Sequence, residues 1–330
     1  MYKVLLICTL SPSIGIGHLS RLLALANYLK KINLYVEFMI FGDKLERIEL
    51  ENYKAKFYPF KLNFIEEVYK HIKKDNFDVV VFDLPANFDS THFRKFFAKI
   101  KQMKVKIIGI DSLVNYRDIL DKIWVPSFNF DTSQLNDHIE KIKFGWDSFI
   151  INKRLDNRKW SPGHKLLVLT GGSDAKNLSE YLPAMLDSKI DQKAEINWVQ
   201  GPFANIPNIP SKPKLKWIIH KAPESLDQLI TESNYVLTVF GVSFFEVIQY
   251  GIPSVVFSPY DGKDDKELSA LKNENVAMVA KNLEEAIDMV NGFRSNANIA
   301  RMFSKNSLEK FKKNGAEQLS LEIHRMLSFY

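Results

Sequence analysis

His18 is the residue most ready for chemistry, because it stands where a glycine turn enters a helix, in Ser13-Ile14-Gly15-Ile16-Gly17-His18. An imidazole there, with an ordinary pKa of about 6.5, can serve as a general base. Gly15 and Gly17 let the backbone approach a ligand closely, and a helix start offers unpaired N–H groups to an anion. A second turn of this kind is Leu169-Thr170-Gly171-Gly172-Ser173-Asp174. Gly171, Gly172 and Ser173 can cradle a diphosphate through backbone N–H and hydroxyl groups, while Ser173 or Asp174 equally suits a helix N-cap. A third segment, Thr238 to Pro253, encodes a strand, a turn at Gly241, a helix opening with Ser243, and Gly251-Ile252-Pro253 to end it. Its one acid, Glu246, sits among Phe244, Phe245 and Val247, where a carboxylate is costly unless satisfied; paired ribose hydroxyls would satisfy it. His220, at the end of a strand, and Asp264, in the polar loop Asp261–Lys266, complete the candidate set. That loop either meets a sugar or is simply solvated.

The elements that position these residues alternate along the chain. In the first half, strands are expected at Lys3–Cys8, Leu34–Ile40, Asp78–Phe82 and Val105–Ile110, the last two leading into Asp83 and Asp111. Helices are expected at His18–Lys31, Phe64–Lys74 and Phe93–Met103; the first carries Leu19, Leu22, Leu23, Ala26 and Leu29 at helical spacing. Strands that are continuous apolar runs imply a parallel sheet covered on both faces, with ligands beyond the carboxyl ends of the strands. Those ends are Ser13–His18, Asp83–Asp89 and Asp111–Asn115. The polar stretch Asn152–His164, which includes Pro162-Gly163, is expected to link two domains. The second half repeats the alternation, with strands at Lys165–Leu169, Glu195–Val199, Leu215–His220, Tyr235–Val239 and Ser254–Ser258. Its helices are Leu178–Leu186, Glu224–Glu232 and Ser243–Tyr250. Helices are expected to fill the remainder, the last running from about Asn298 to Ser328 and reaching back to the first domain.

The 330 residues suffice for two domains, and 46% apolar with 25% charged residues argues against disorder. No apolar run approaches a membrane span, and the N-terminus reads straight into a strand rather than a signal peptide. Cys8 is the one cysteine and is expected to be a buried, inert thiol in a reduced, cytoplasmic protein. The net charge of +6 suits an anionic ligand or an acidic membrane surface. Lysines are scattered rather than blocked, which argues against nucleic acid. The seven histidines are dispersed, so no metal cluster is expected, and neither a Gly-x-Ser-x-Gly elbow nor a lysine-bearing phosphate loop is present.

Over nearly its whole length the chain resembles nucleotide-sugar enzymes of the GT-B fold. The nearest likeness is to the UDP-sugar hydrolase of pseudaminic-acid biosynthesis and the related spore-coat polysaccharide proteins. It rests on Ser13–His18, Phe77-Asp78-Val79-Val80-Val81-Phe82-Asp83, Ile108-Gly109-Ile110-Asp111, Gly145, and Gly171-Gly172-Ser173-Asp174-Ala175-Lys176-Asn177-Leu178. The Ser243–Glu246 helix with Gly251-Ile252-Pro253 is similar to the donor-binding segment of the N-acetylglucosaminyltransferase of peptidoglycan synthesis. The resemblance implies that His18 matches a catalytic histidine, and that Ser173 and Glu246 match contacts to diphosphate and ribose. Two positions depart from it: Leu84-Pro85-Ala86-Asn87 stands where the hydrolase has a tyrosine, and Phe245 where it has an asparagine.

The expected fold is therefore α/β, a GT-B fold of two Rossmann-like domains facing a cleft. Residues 1–155 would present the acceptor and catalytic base, and residues 156–330 would bind the nucleotide-sugar. The expected activity is glycosyl transfer from a UDP-linked sugar to a sugar or lipid-linked acceptor in surface glycan or polysaccharide synthesis, with no cofactor and no metal. Peripheral membrane association is compatible with such an acceptor. A UDP-sugar hydrolase and a non-catalytic nucleotide-sugar-binding protein are the alternatives.

Overall fold

A computed structural model describes residues 1–45, 47–60, 63–85, 91–153, 155–174, 176–191 and 193–328. The chain divides into two compact units, Met1–Asn152 with Lys313–Tyr330, and Lys153–Lys312.

The first unit is built on a seven-stranded parallel sheet. Its strands are β1 Lys3–Leu10, β2 Tyr35–Gly42, β3 Lys54–Tyr58, β4 Val79–Leu84, β5 Lys106–Asp111, β6 Lys122–Trp124 and β7 Ile142–Lys143. Their spatial order is β3-β2-β1-β4-β5-β6-β7. Successive connections run one way from β1 and the other way from β4, so the direction of winding switches between β1 and β4. Loops that leave adjacent strands toward opposite faces open a crevice at such a point. Helices α1 Gly17–Lys31, α2 Phe64–Asp75 and α3 Thr91–Gln102 connect the strands. In β1 every residue after Lys3 is buried, as expected of a strand covered on both faces.

The second unit repeats the plan with β8 Lys165–Leu169, β9 Glu195–Gln200, β10 Lys216–Lys221, β11 Tyr235–Val239, β12 Ser254–Phe257 and β13 Met278–Val279. The order is β10-β9-β8-β11-β12-β13, again parallel, with its switch between β8 and β11. Helices α4 Leu178–Lys189, α5 Asp227–Glu232, α6 Val242–Ile248, α7 Asp265–Glu274, α8 Leu283–Ser295 and α9 Ala297–Lys310 belong to this unit.

Three expectations are corrected. The single helix from Asn298 to Ser328 is two helices, α9 and α10 Gly315–Ser328. Asn314 breaks it: its Oδ1 accepts from the Ala316 N–H at 2.8 Å while its Nδ2 donates to Ile151 O at 2.9 Å. Gly315 N donates to Phe149 O at 3.1 Å, and a Cβ on this glycine would stand 2.5 Å from that oxygen. Helix α10 thereby packs along α1, in which Arg21, Ala24 and Leu25 are buried as well as the predicted apolar stripe. Next, the stretch expected to be a linker is anchored to the second unit, where Trp160 joins the core and donates to Asn234 O at 2.7 Å. Finally, the short strands β3, β6, β7 and β13 lie where no strand was expected, because two to five residues are too few for a period to show.

Candidate functional site

His18 occupies the second position of α1, beyond a turn in which Ser11 O accepts from Gly15 N at 2.7 Å. Gly15 takes φ +81, a left-handed conformation that favours glycine. From there the imidazole reaches the carboxyl end of β4, and its Nδ1 lies 2.6 Å from Asp83 Oδ1. Asp83 is fully buried. One helical turn past His18, the buried Arg21 also grips Asp83, with Nε to Oδ2 at 2.9 Å and Nη2 to Oδ1 at 2.7 Å. Its remaining nitrogen, Nη1, reaches Asp111 Oδ2 at 3.2 Å, at the end of β5. Two carboxylates, one guanidinium and one imidazole thus meet at the switch point of the first sheet.

The electrostatics follow from burial. Burial alone would raise the Asp83 pKa, but the Arg21 charge and then His18 overcome this and hold it below the usual carboxylate range. Burial likewise opposes the Arg21 charge, yet Asp83 and Asp111 keep its pKa raised. An ionised Asp83 only accepts, so the 2.6 Å contact makes Nδ1 the protonated nitrogen of His18 and leaves the Nε2 lone pair free for a proton. Cys8, beside Asp83 in the sheet, is buried, and burial pushes its thiol pKa well up, as an inert core cysteine requires.

In the second unit the two predicted turns flank the other switch point. Gly171, Gly172 and Ser173 follow β8, with Gly171 at φ +90. This turn is pressed against Gly201, where a Cβ would stand 2.4 Å from Gly172 O and 2.5 Å from Gly171 O. Sequence reasoning missed Gly201, because its constraint comes from a strand packed beside the turn. Beside it, Thr170 Oγ1 and Gln200 Oε1 are buried with no hydrogen-bond partner among the described residues, so a ligand group would find polar atoms there. Asp174 instead caps α4, its Oδ1 and Oδ2 accepting from Leu178 N at 2.9 Å and Ser179 N at 2.8 Å. The capping alternative is the one its contacts support, and its 3% exposure leaves little for a ligand.

Gly241 precedes α6, and Ser243 and Glu246 are half-buried on that helix. Phe245 packs against Phe240 and Phe244, with ring centroids 5.7 and 5.0 Å apart, in place of the asparagine of the resembled hydrolase. Of the segment replacing its tyrosine, Ala86 and Asn87 lie outside the described residues. Asp264 precedes α7 and takes a hydrogen bond from Ser258 Oγ, just past β12. His220 stands apart from the turns. It is on the edge strand β10, with Nε2 2.9 Å from Asn197 Oδ1, and burial lowers its pKa.

One cluster contradicts the reading that ligand-type residues are dispersed. Glu37, His71 and Asp75 bring ligand atoms within 4.8 Å of one another. Both Glu37 oxygens already face cations, however, with Lys54 Nζ at 2.9 Å and Lys56 Nζ at 3.7 Å, besides His71 Nε2 at 2.7 Å. The cluster therefore reads as an ion-pair node near the amino end of β2, the sheet end opposite His18.

No protein-family profile matches the chain. An uncharacterized protein of Methanocaldococcus jannaschii is 28% identical over 279 residues, 77% of this chain and 55% of that protein. The chain thus spans about half the length of the curated relative it matches. Among solved structures, the glycosyltransferase SnogD from Streptomyces nogalater superposes with a TM-score of 0.65 at 11% identity, covering 98% of this chain and 99% of that one. The fold is GT-B. MnaA from S. aureus, solved with UDP, gives a TM-score of 0.63 at 13% identity, over 100% of this chain and 98% of its own. Within the GT-B plan each unit is Rossmann-like, with the His18 network at the switch point of the first sheet and the Gly171 and Gly241 turns at that of the second. Among the described residues no helix is long and apolar enough to cross a membrane.

Proposed function

We propose that this protein is a glycosyltransferase-like enzyme acting at the anomeric carbon of a UDP-linked sugar, with His18 as the base. The observation that carries the reading is the 2.6 Å contact from His18 Nδ1 to the buried Asp83, which leaves Nε2 free beside the switch point. Nε2 takes the proton of an acceptor hydroxyl, whose oxygen forms the new bond to the anomeric carbon. The bond from that carbon to the diphosphate breaks, and UDP leaves with the electron pair. The second unit binds the nucleotide: N–H groups of Gly171–Ser173 take the diphosphate charge and Glu246 takes the ribose hydroxyls. MnaA's UDP and SnogD's glycosyltransferase description support this choice of substrate class.

Hydrolysis would be the same chemistry with water as acceptor. The apolar packing of Phe245 favours transfer, since this position offers no side-chain amide to a sugar. The test is UDP release from a pool of UDP-sugars. UDP released only with an added acceptor supports transfer, free sugar with UDP supports hydrolysis, and binding without UDP release overturns catalysis. Calorimetry of UDP should show a loss of about 1–3 kcal/mol in Glu246→Ala, the usual cost of polar groups left unsatisfied. Equal affinity would remove Glu246 from the site.

A further inference from the structure

Asp111 is the most exposed member of the His18 network. Its side chain is 49% exposed, whereas Arg21 is 10% and Asp83 0% exposed. Arg21 holds Asp111 Oδ2, and Oδ1 has no partner among the described residues. A guanidinium is rigid and planar, so the same fork that fixes Asp83 also fixes the Asp111 carboxylate relative to His18. Arg21 Nη2 is 3.1 Å from His18 Nδ1 and Nη1 is 3.2 Å from Asp111 Oδ2, which leaves the two groups one guanidinium apart.

The backbone points the same way. Asp111 takes φ 63 and ψ −103, a combination that a residue with a Cβ rarely adopts. Strain of this kind persists where the surroundings over-determine it, and here they do. Ser112 Oγ donates to Leu84 O, tying the end of β5 to the end of β4, and Arg21 holds the side chain from the other side. A solvated aspartate at a loop start needs neither constraint.

Resting on the assignment of His18 as the base, we propose that Asp111 is an acceptor-binding residue, whose outward oxygen takes hydrogen bonds from adjacent hydroxyls of a neutral sugar. The charges select neutrality: Asp83 and Asp111 outnumber Arg21, so an acidic sugar is repelled where a neutral one donates. A carboxylate accepts two hydroxyl donors on one sugar edge, which no single alcohol supplies.

The test is binding to the full chain, read by saturation-transfer NMR without any turnover. Glucose, mannose, galactose and N-acetylglucosamine are the probes, with glucuronate as the acidic control. At least one neutral sugar should bind, and glucuronate more weakly. Asp111→Asn should weaken that sugar by about tenfold, the loss expected for a charged acceptor made neutral. Asp111→Glu, which keeps the charge but displaces it by a methylene, should weaken it too. Circular dichroism should show both variants folded. Equal sugar affinity in Asp111→Asn, equal binding of glucuronate, or no neutral-sugar binding at millimolar concentration would overturn the proposal. UDP release by His18→Ala tests the assignment of the base separately, so either can fail alone.

Discussion

A single nitrogen of His18 concentrates the chemistry, and its readiness depends on a residue 65 positions away. Replacing His18 by alanine should lower kcat by about 10²–10⁴, the usual contribution of a positioned base, with UDP affinity kept. Turnover equal to wild type in a folded His18→Ala protein would remove His18 from the mechanism. Asp83→Asn should also depress turnover, because an amide can donate to Nδ1 and shift the proton to Nε2, the wrong tautomer for a base. Steady-state kinetics of both variants check this. His18 was legible because two glycines announce a turn before a helix. Asp83 showed only as the polar residue ending an apolar strand, and Arg21 as an ordinary helix position. Their partnership is tertiary, made by the pairing of β1 with β4, and no local spacing encodes it.

At the scale of elements, the second unit's turn depends on how closely β9 is laid beside it. Gly201→Ala should force the Gly171–Gly172 backbone away and cost about 1–3 kcal/mol of stability, the range for overpacking, together with weaker UDP binding. Thermal unfolding and calorimetry of the variant measure the two effects; an unchanged UDP affinity would show that the turn does not hold the nucleotide. Turnover should need no divalent metal, since the turn's N–H groups take the diphosphate charge. Loss of turnover in EDTA, restored by Mg²⁺, would count against that account. The alternation of strands and helices was readable because β8 and β11 are largely apolar runs bounded by turn residues. The boundary between α9 and α10 was not. The break falls at Asn314-Gly315, a turn pair set inside a longer helical pattern, and the docking of these two residues on Phe149 and Ile151 fixes it there. Asp174 illustrates the same limit within the site, because cap and ligand contact call for the same residue type in the same turn.

At the scale of the molecule, each unit carries a buried carboxylate whose pKa is depressed. In the first it is Asp83, held down by Arg21 and His18 against the effect of burial. In the second it is Asp187, where burial is outweighed by the N–H groups of Lys214 and Leu215 and by the Trp217 indole. A folded pKa below the ordinary 3.8 means that the unfolded chain binds the proton first. Both groups therefore stabilise the folded state above pH 3.8, and that contribution fades as the pH falls below it toward the folded pKa. Urea midpoints should drop across this acid range, and Asp187→Asn should flatten its share of the slope; a parallel slope in the variant would exclude Asp187. The return of α10 to α1 carries a consequence of a different kind, for synthesis. Residues Met1–Asn152 leave the ribosome with one side of α1 uncovered, and α10, which covers it, follows only after the whole of Lys153–Lys312 has been made. The second unit can complete its core while the first still waits, so the nascent chain exposes one side of α1 through much of its translation, and it is this side that a holding chaperone would meet.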